Sequence, residues 1–331
     1  MKQIVLKTAI DHKPRAADFQ LIDAETPACA EGGVLVKLSH ISMDPYVGSR
    51  LRGRHMGELA PAPGVEAIPG HGVGQVIESR SEAHRQGDVV YVMEAGWREY
   101  AAVPGERARR IDPQGLDRAV FLSALGMPGL TAWAGMTRLA EVGEGDVVLV
   151  DAAAGAVGGC VGQIARANGA AEVYGIAGGA EKCALVEKTY GFDACFDHKA
   201  DGWADRLAER VSGRLTVHFE NVSTDMLTLA LANFKPYGRA ILCGLAAQYH
   251  ADAAPTGLPT GLIIGKRARL HGLVVYDFYD RWTEFLDAVA PLVRSGNLTI
   301  AEDRAEGLEA APAVFQRLMD GANVGKALIA L

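Results

Sequence analysis

The sequence has few of the features that mark membrane proteins and nucleic-acid-binding proteins. Its most apolar window, residues 147–165, is interrupted by Asp151 and by glycines, so it is a poor membrane span. Positive charge is not in excess, since 33 lysines and arginines stand against 40 aspartates and glutamates. The net charge of −7 argues against nucleic acid or an anionic membrane as a partner, and we expect neither.

Cysteine is also scarce and dispersed. The five cysteines show no CxxC spacing, which disfavours a disulfide framework and a cysteine-rich metal site. The first residues reach a second lysine, Lys7, after only three apolar residues, unlike a signal peptide. We therefore expect a cytoplasmic protein with reduced thiols, and 331 residues suffice for two domains.

What the chain does contain is a glycine-rich turn after a strand-like apolar run. The run at 147–150 leads through Asp-Ala-Ala-Ala at 151–154 into a glycine-rich turn and an apolar helix, whose first residues are Gly155, Ala156, Val157 and Gly158. We assign Gly155 to a tight turn, Gly158 to close approach of a phosphate, and the later Gly162 to close helix-to-sheet contact. With the N–H groups of the helix start, this pattern predicts a dinucleotide pyrophosphate site. The spacing, GxxGxxxG, leaves ordinary helix packing as the alternative.

An alternation of helices and strands surrounds this turn. The periodicity predicts helices at 156–168, 180–190, 203–211, 224–234 and 279–295. It predicts strands at 173–176, 194–196, 215–219, 239–243 and 269–275 after the first strand at 147–150. Such alternation predicts an α/β fold, a doubly wound parallel sheet with ligands at the carboxyl ends of its strands.

The end of the second strand of this sheet carries no acid. An NAD site usually places a carboxylate there for the ribose hydroxyls, whereas this chain has Ala177, Gly178 and Gly179, with Lys182 one turn later. Small residues and a lysine suit a 2′-phosphate, so we predict NADP(H), held in part by Gly178 and Lys182. Glu181 is the counterargument, and a solvated lysine is the alternative for Lys182.

The regions before and after the alternating segment look different from it. Residues 33–38, 72–77 and 87–92 are strand-like and separated by glycine, which suggests a partly closed β-barrel. We place this β-rich domain at 1–122 and 296–331, and the Rossmann domain at 123–295. An inserted nucleotide domain leads us to expect cofactor and substrate in the cleft between the two.

The chain resembles the medium-chain dehydrogenase/reductase superfamily, and within it the zinc-free branch of prostaglandin, alkenal double-bond and curcumin reductases. The resemblance covers essentially the whole chain, and a GroES-like β domain with an inserted Rossmann domain is the fold that it implies. It rests on the stretches 42–46 (Ser-Met-Asp-Pro-Tyr), 152–165, 181–183 (Glu-Lys-Cys), 219–222 (Phe-Glu-Asn-Val), 243–244 (Cys-Gly) with Tyr249, and 321–326 (Gly-Ala-Asn-Val-Gly-Lys).

The ligands that metal-using members of this superfamily need are missing from the sequence. A catalytic zinc there takes a cysteine early in the β domain and a His-Glu pair. This chain has Asp44 in the first region with no cysteine beside it, and His71 is followed by Gly72. We therefore predict no metal, interpret His71 as a turn or core-edge residue, and disfavour alcohol dehydrogenation.

The resemblance to this zinc-free branch favours conjugate reduction, in which NADPH would deliver a hydride to an α,β-unsaturated ketone or aldehyde. The enolate that forms needs a hydrogen-bond donor, and then a proton at its α-carbon. Tyr249 is our first candidate donor and Tyr46 the second, with packing in a cleft wall as the alternative for each. Arg52 and Arg54 could meet a substrate carboxylate, although a solvated loop is the simpler interpretation.

The resemblance also implies further cofactor contacts. Lys182 would bind the 2′-phosphate, and an asparagine at a strand end, Asn221, would bond near the ribose and phosphates. The other implied contacts are Cys243, Gly244 and Tyr249 around the nicotinamide half, the backbone of Leu273, Val274 and Val275 at the carboxamide, and Asn323 at the phosphates. The chain departs from the family at 197–199, where Asp-His-Lys replaces Asn-Tyr-Lys. His198 can donate to phosphate but Asp197 opposes it, so the preference for NADPH becomes less exclusive.

Two expectations concern the segment after Cys243. The stretch 244–266 is rich in proline and glycine and shows no clear helix or strand, so we interpret it as a mobile cover, with turn-rich surface filler as the alternative. The following strand, at 270–275, could pair with its copy in a second subunit, so the resemblance implies a homodimer.

Three functional hypotheses remain open. The first is an NADPH-dependent reductase of enones and enals, and the second is a quinone reductase on the same scaffold. The third is a redox sensor that holds NADPH without turnover. Activity with an enone, activity with quinones alone, or binding alone would distinguish them.

Overall fold

A computed structural model describes residues 1–247 and 257–331 of the chain. They form two compact units, which we call the β-rich unit (Met1–Leu122 with Glu302–Leu331) and the parallel-sheet unit (Ser123–Ala301). The predicted boundary at 296 lies too early, because residues 296–301 are bonded into the parallel-sheet unit. The Gln163 amide donates to the carbonyl of Thr299 (2.8 Å), and the N–H of Ala301 donates to the Tyr190 hydroxyl (3.1 Å).

The described residues form strands and helices that we number in chain order. The strands are β1 (Lys2–Leu6), β2 (Phe19–Asp23), β3 (Gly33–Ser42), β4 (Gly72–Ser79), β5 (Val89–Val92), β6 (Tyr100–Pro104), β7 (Ala108–Arg110), β8 (Val147–Val150), β9 (Glu172–Ala177), β10 (Ala194–Asp197), β11 (Leu215–Glu220), β12 (Phe234–Leu242), β13 (Arg269–Gly272), β14 (Glu302–Glu306) and β15 (Lys326–Ala330). The α-helices are α1 (Tyr46–Arg50), α2 (Met127–Trp133), α3 (Ala156–Ala167), α4 (Ala180–Lys188), α5 (Trp203–Val211), α6 (Thr224–Asn233), α7 (Thr260–Lys266), α8 (Trp282–Arg294) and α9 (Ala311–Met319). Across these residues, every helix is too short or too polar to cross a bilayer.

The β-rich unit is built around a seven-stranded sheet. Its strand order is β14-β15-β3-β4-β5-β7, with β6 also paired to β3, and β1 and β2 form a separate hairpin-like pair. All pairs are antiparallel except β14 with β15. The rings of Phe19, Trp97 and Phe315 pack on one another in the core, with centroids 5.1–6.1 Å apart. Burial of each such side chain stabilises the fold by about 1.5–3 kcal/mol.

The parallel-sheet unit contains six strands in the order β10-β9-β8-β11-β12-β13, and every neighbouring pair is parallel. The run Val147–Val150 is fully buried, as expected for a strand covered on both faces. The chain leaves β8 toward β9 on one side and later returns to β11 on the other, so the order reverses between β8 and β11. Ligands bind at the carboxyl ends of strands at such a reversal. The predicted fold class is confirmed.

Two parts of the predicted element pattern are wrong. The strand expected at 269–275 ends at Gly272, because the N–H of Leu273 makes the last bond to the sheet, to Leu242 (2.9 Å). A 3-10 helix (Val275–Arg281) follows, so α8 begins at Trp282 rather than at 279. The pair Val274 and Val275 has the β-branched character of a strand, and this misled the prediction.

The segment 244–266 also differs from the prediction. Its last part is the helix α7, which begins after Pro259, although residues 248–256 lie outside the described range. Leu262 and Ile263 of this helix pack on the core of the parallel-sheet unit, and the Lys266 ammonium donates to the carbonyl of Phe234 (2.7 Å). The glycines and the proline predicted a turn, but apolar contacts with the sheet outweigh their low helix propensity.

Candidate cofactor site

The glycine-rich turn follows β8 directly. Ala152 has φ of +45°, a left-handed conformation that turns the chain sharply after the strand. A Cβ on Gly158 would lie 2.5 Å from the carbonyl oxygen of Ala152, so the turn itself excludes a side chain there. A Cβ on Gly162 would lie 1.9 Å from the Phe192 ring, so this glycine packs closely, but against the loop before β10 rather than against a strand as predicted. The backbone of Ala152 therefore requires glycine at position 158, and the Phe192 ring requires it at position 162.

The start of α3 is a ready site for an anion. Its N-cap is Gly155, which has extended backbone angles and no side chain that could cap the helix. The first-turn N–H groups, including those of Ala156 and Val157, have no acceptor within the helix. The helix runs for 12 residues, so its dipole adds positive potential at this end. These features fit the pyrophosphate of a dinucleotide.

The next polar groups lie where β9 and β10 end. A Cβ on Gly178 would lie 2.8 Å from Nε2 of His198, so the missing side chain leaves room for that ring. The Asp197 carboxylate accepts the N–H groups of Gly179 (2.8 Å) and Lys199 (2.9 Å). These two backbone bonds hold the pKa of Asp197 below its usual value. The structure therefore brings Gly178 and His198 together, and it places an ionised carboxylate beside them.

Lys182 lies in the first turn of α4, directly after this strand end. The helix begins at Ala180, and its N-cap Gly179 has φ of +108°, which favours glycine. The Lys182 side chain is half-buried. A lysine in this first turn lies beside the end of β9, where the sequence predicted the 2′-phosphate.

Asn221 follows β11 directly and is held by Asp151, the residue that follows β8. Its N–H donates to Oδ1 of Asp151 (2.6 Å), and its side-chain amide donates to the Asp151 carbonyl (3.1 Å). Phe219 pairs with Val150 in the sheet, so the residues that follow each of them meet at the same edge. The carboxamide of Asn221 is thereby oriented before any ligand arrives.

Cys243 and Gly244 follow β12, and the N–H groups of both donate to the Glu220 carbonyl (2.9 and 3.2 Å). Burial, with the charges of Asp151 and Glu220, raises the pKa of the Cys243 thiol to about 12, so this thiol is not a nucleophile at neutral pH. Leu273, Val274 and Val275 follow β13, and the side chain of Leu273 is buried. All these predicted residues lie at the carboxyl edge of the one sheet.

The other predicted residues belong to the β-rich unit or lie outside the described ranges. Asn323 uses its side-chain amide to donate to the carbonyl of Gly325 (2.8 Å). Tyr249, our first candidate donor, falls within 248–256, outside the described residues. Arg52 makes a long contact to the carbonyl of Asp11 (3.4 Å), and Arg54 is exposed.

Tyr46 is the first residue of α1, and its hydroxyl lies 3.5 Å from Nε2 of His71. His71 is buried and stacks on Tyr91 with ring centroids 5.5 Å apart. Burial lowers the pKa of His71, so the ring is neutral at pH 7. The Tyr46 hydroxyl can therefore either donate to or accept from this imidazole.

A buried ion pair, which sequence reasoning missed, lies close by in the same unit. The Lys326 ammonium bonds to Oδ1 of Asp44 (2.8 Å) and to the carbonyl of Met43 (2.7 Å). Ser42 donates to the other carboxylate oxygen (2.5 Å). Burial raises the pKa of Asp44, but the charge and hydrogen bond of Lys326 outweigh it and the net pKa is lowered. The two partners are 282 residues apart, which spacing alone does not reveal.

A second buried polar cluster was also missed. Asp151, His218 and Glu220 lie together in the parallel-sheet unit, all with 1% or less exposure. Burial and then the Glu220 carboxyl raise the pKa of Asp151 well above its usual range. Burial raises the pKa of Glu220 too, but the hydrogen bond and charge of His218 outweigh it and the net pKa is lowered. The signal for this cluster was two polar residues, His218 and Glu220, within the otherwise apolar strand β11, and a third, Asp151, directly after the apolar run of β8.

Comparison with known proteins agrees with this architecture. Residues 2–111 match the family described as N-terminal domain of oxidoreductase, and residues 156–291 match the family described as zinc-binding dehydrogenase. A 2-alkenal reductase (NADP(+)-dependent) of Nicotiana tabacum is 34% identical over 99% of this chain and 96% of its own length. An NADPH-dependent curcumin reductase of Escherichia coli (strain K12) is 33% identical over 96% of this chain and 92% of its own length.

A solved structure shares the whole fold. The crystal structure of CurA in complex with NADPH, from Vibrio vulnificus, has a TM-score of 0.91 and 33% identity, and the match covers 100% of this chain and 99% of that one. Sequence and fold agree over essentially the full length. The chain therefore belongs to the medium-chain dehydrogenase/reductase superfamily, in the branch that contains the NADP-dependent alkenal and curcumin reductases.

Proposed function

We propose that this chain reduces the carbon–carbon double bond of α,β-unsaturated ketones and aldehydes, with NADPH as its cofactor. The observation that carries the proposal is the turn at Gly155 and Gly158, where backbone excludes a side chain and α3 starts uncapped. The relatives named above are reductases that use NADP. When bound, NADPH supplies a hydride for the β-carbon of the substrate.

The residues of the parallel-sheet unit fit this cofactor. The first-turn N–H groups of α3 would hold the pyrophosphate, and Asn221 would bond near the ribose and phosphates. Lys182 and His198 would bind the 2′-phosphate, whereas the Asp197 carboxylate opposes a phosphate dianion. The remaining contacts would come from Cys243, Gly244 and the backbone of Leu273, Val274 and Val275. We infer that the protein prefers NADPH but also accepts NADH to some extent.

In the β-rich unit, Tyr46 is the described residue best suited to stabilise the developing enolate. Its hydroxyl has a neutral imidazole, His71, as its neighbour, so its proton can be directed toward a substrate oxygen. Tyr46→Phe should lower kcat about 100- to 1,000-fold with little change in KM. Tyr237→Phe, which removes an exposed hydroxyl, is the matched control. If Tyr249→Phe lowers kcat and Tyr46→Phe does not, Tyr249 is the donor and Tyr46 only packs.

A substrate panel tests the function directly. Purified protein is mixed with NADPH or NADH and with an aliphatic enone, an enal or a quinone, and cofactor oxidation and product mass are measured. We expect NADPH oxidation with enone and enal, and a saturated carbonyl product. Turnover with quinones alone would support the quinone-reductase alternative, and tight NADPH binding without turnover would support a redox sensor.

The sheet edge supports a proposal about assembly. Within the described ranges β13 pairs with β12 on one side only, and its other edge can pair with the same strand of a second copy. We propose a homodimer through β13, to be checked by light scattering coupled to gel filtration.

The five cysteines are free thiols, which supports our proposal of a reducing, cytoplasmic location. Fractionation of the native cells would test it. The absence of a catalytic metal near Asp44 and His71 also stays a prediction.

A further inference from the structure

Asp151 orients Asn221, but the function proposed above makes no use of the buried cluster that Asp151 forms with His218 and Glu220. Asp151 follows β8, and the other two residues alternate on the neighbouring strand β11. The side chains of Asp151 and His218 are 0% exposed and that of Glu220 is 2% exposed. Two carboxyls and an imidazole thus lie buried in one place, beneath the glycine-rich turn.

Each of the three side chains uses one polar atom to bond to the backbone. Nδ1 of His218 bonds to the Leu149 carbonyl (3.2 Å), and a carbonyl can only accept, so Nδ1 carries the proton. Oε1 of Glu220 accepts the N–H groups of Val222 (2.6 Å) and Ser223 (2.7 Å). Oδ1 of Asp151 accepts the Asn221 N–H (2.6 Å). Backbone bonds of this kind are the outer contacts that orient histidine and carboxylate ligands in metal sites.

The remaining polar atoms converge on one another. Nε2 of His218 lies 3.0 Å from Oε2 of Glu220 and 3.8 Å from Oδ2 of Asp151, and one ligand atom of each residue lies within 4.8 Å of the others. Oδ2 of Asp151 has no hydrogen-bond partner among the described residues. Nε2 of His218 and Oε2 of Glu220 are within hydrogen-bond distance, so a proton or a metal ion must lie between them. The raised pKa of Asp151 shows that a second proton satisfies the cluster when no metal ion is bound, and a metal ion would displace these protons.

We propose that Asp151, His218 and Glu220 bind a divalent metal ion of the zinc type. One imidazole nitrogen with two carboxylate oxygens is a ligand set that zinc accepts, and ligands at about 2.0–2.2 Å from a tetrahedral zinc lie about 3.3–3.6 Å apart. The two observed separations, 3.0 and 3.8 Å, lie on either side of that range. The ion would take the place of the proton that otherwise keeps Asp151 neutral beside Glu220. No other cluster of this kind occurs within residues 1–247 and 257–331.

The ion would tie the end of β8 to the end of β11 and so fix both the glycine-rich turn and Asn221. It would be a buried ion with three protein ligands and with a water molecule in the fourth tetrahedral position. This site is separate from the region of Asp44 and His71, where the sequence argues against a catalytic zinc. The inference does not depend on the proposed reductase activity, because metal content is measured without substrate or NADPH.

The test is the metal content of the intact protein. The chain is produced in medium with zinc, purified without a metal-chelate resin, washed briefly with chelator to strip surface ions, and analysed by elemental and native mass spectrometry. We expect about one zinc per chain. Production in cobalt medium should give visible d–d absorption, since the site fills as the chain folds.

Variants locate the ion. Asp151→Asn and His218→Gln should reduce the metal content to background, whereas His84→Gln should keep it. His84 is the matched control because it is another buried histidine with a ring bond to a backbone carbonyl, but in the β-rich unit. Retention of metal by His218→Gln would overturn the proposal. So would metal-free wild-type protein from both media, which would mean that protons occupy the cluster. The wild-type result stands even if a variant does not fold.

Discussion

In the β-rich unit the buried carboxylate of Asp44 has its own cation, Lys326, whereas in the parallel-sheet unit the carboxyls of Asp151 and Glu220 have only an imidazole between them. The first unit balances charge between two side chains that are distant in sequence. The second relies on backbone N–H groups at strand ends, the same kind of group that we propose binds the cofactor. Deletion of a charged side chain should therefore reduce stability most in the β-rich unit. Obstruction of the backbone should reduce cofactor binding most in the parallel-sheet unit.

The largest effect should come from removal of the buried cation. Lys326→Met leaves Asp44 charged and unpaired in the core, which costs about 3–5 kcal/mol of unfolding free energy. Urea denaturation of the purified protein measures this loss. Lys13→Met, which breaks the exposed pair with Asp320, should cost only about 0–1 kcal/mol. An equal loss of unfolding free energy in Lys326→Met and Lys13→Met would show that burial of the ion pair does not matter. A second substitution, Asp44→Asn, added to Lys326→Met should recover stability, because it removes the unpaired charge.

Obstruction of the backbone tests the parallel-sheet unit. Gly158→Ala places a methyl group 2.5 Å from the Ala152 carbonyl, and such overpacking costs about 1–3 kcal/mol. Because the turn must shift, the Kd for NADPH should rise about tenfold or more. Isothermal titration calorimetry measures it. Gly143→Ala is the control, since no described atom lies within 4 Å of its new methyl. Unchanged binding by Gly158→Ala would argue against this turn as the pyrophosphate site.

The buried histidine of the β-rich unit sets a pH dependence. Burial lowers the pKa of His71 from its ordinary 6.5, so the unfolded chain takes up a proton that the folded chain does not. Stability from this residue is complete above pH 6.5 and falls as the pH drops toward the lowered pKa, by up to about 1.4 kcal/mol per pH unit. The charged groups that act on His71 are Asp44, Lys326, Glu94 and Arg50.

Denaturation curves at a series of pH values from about 5 to about 8 measure this dependence, because histidine changes its charge within that range. His71→Gln should flatten the acid side of the stability profile. His12→Gln, at an exposed histidine, should leave it as in the wild type. A wild-type profile that rises on acidification would mean that His71 is charged in the folded protein.

The smallest effect concerns cofactor choice. Lys182→Ala should weaken the binding of NADPH by about tenfold, or about 1.4 kcal/mol. It should leave the binding of NADH unchanged, because only NADPH carries the 2′-phosphate. Lys188→Ala, at the exposed last turn of the same helix, should change neither affinity. Fluorescence titration with both cofactors measures the four values. Equal weakening of NADPH and NADH by Lys182→Ala would place the lysine elsewhere on the nucleotide.

The sequence predicted the parts of this fold that local patterns encode. The apolar run at 147–150, the glycines after it and the alternation of periodicities were sufficient for the parallel sheet, since each depends on neighbouring residues. The strand at 269–275 and the structureless segment at 244–266 were wrong in part, because β-branched pairs and glycines have propensities that tertiary contacts override.

The two buried polar clusters could not be predicted in the same way. Asp151 meets His218 only because β8 pairs with β11, and Asp44 meets Lys326 only because β15 pairs with β3. Both contacts depend on which strands become neighbours, and no short-range spacing carries that information. In hindsight, a charged residue within an apolar strand, such as Glu220, was the available signal that a partner had to exist.

The late position of Lys326 affects the order in which a nascent chain can mature. Its partner Asp44 leaves the ribosome 282 residues earlier, and at about 5–20 residues per second the delay is roughly 14–56 s. During that interval Asp44 must stay hydrated, so its surroundings cannot close. The parallel-sheet unit is a continuous stretch of chain and can fold in the meantime. Synthesis from the N-terminus therefore favours folding of the parallel-sheet unit before folding of the β-rich unit is complete.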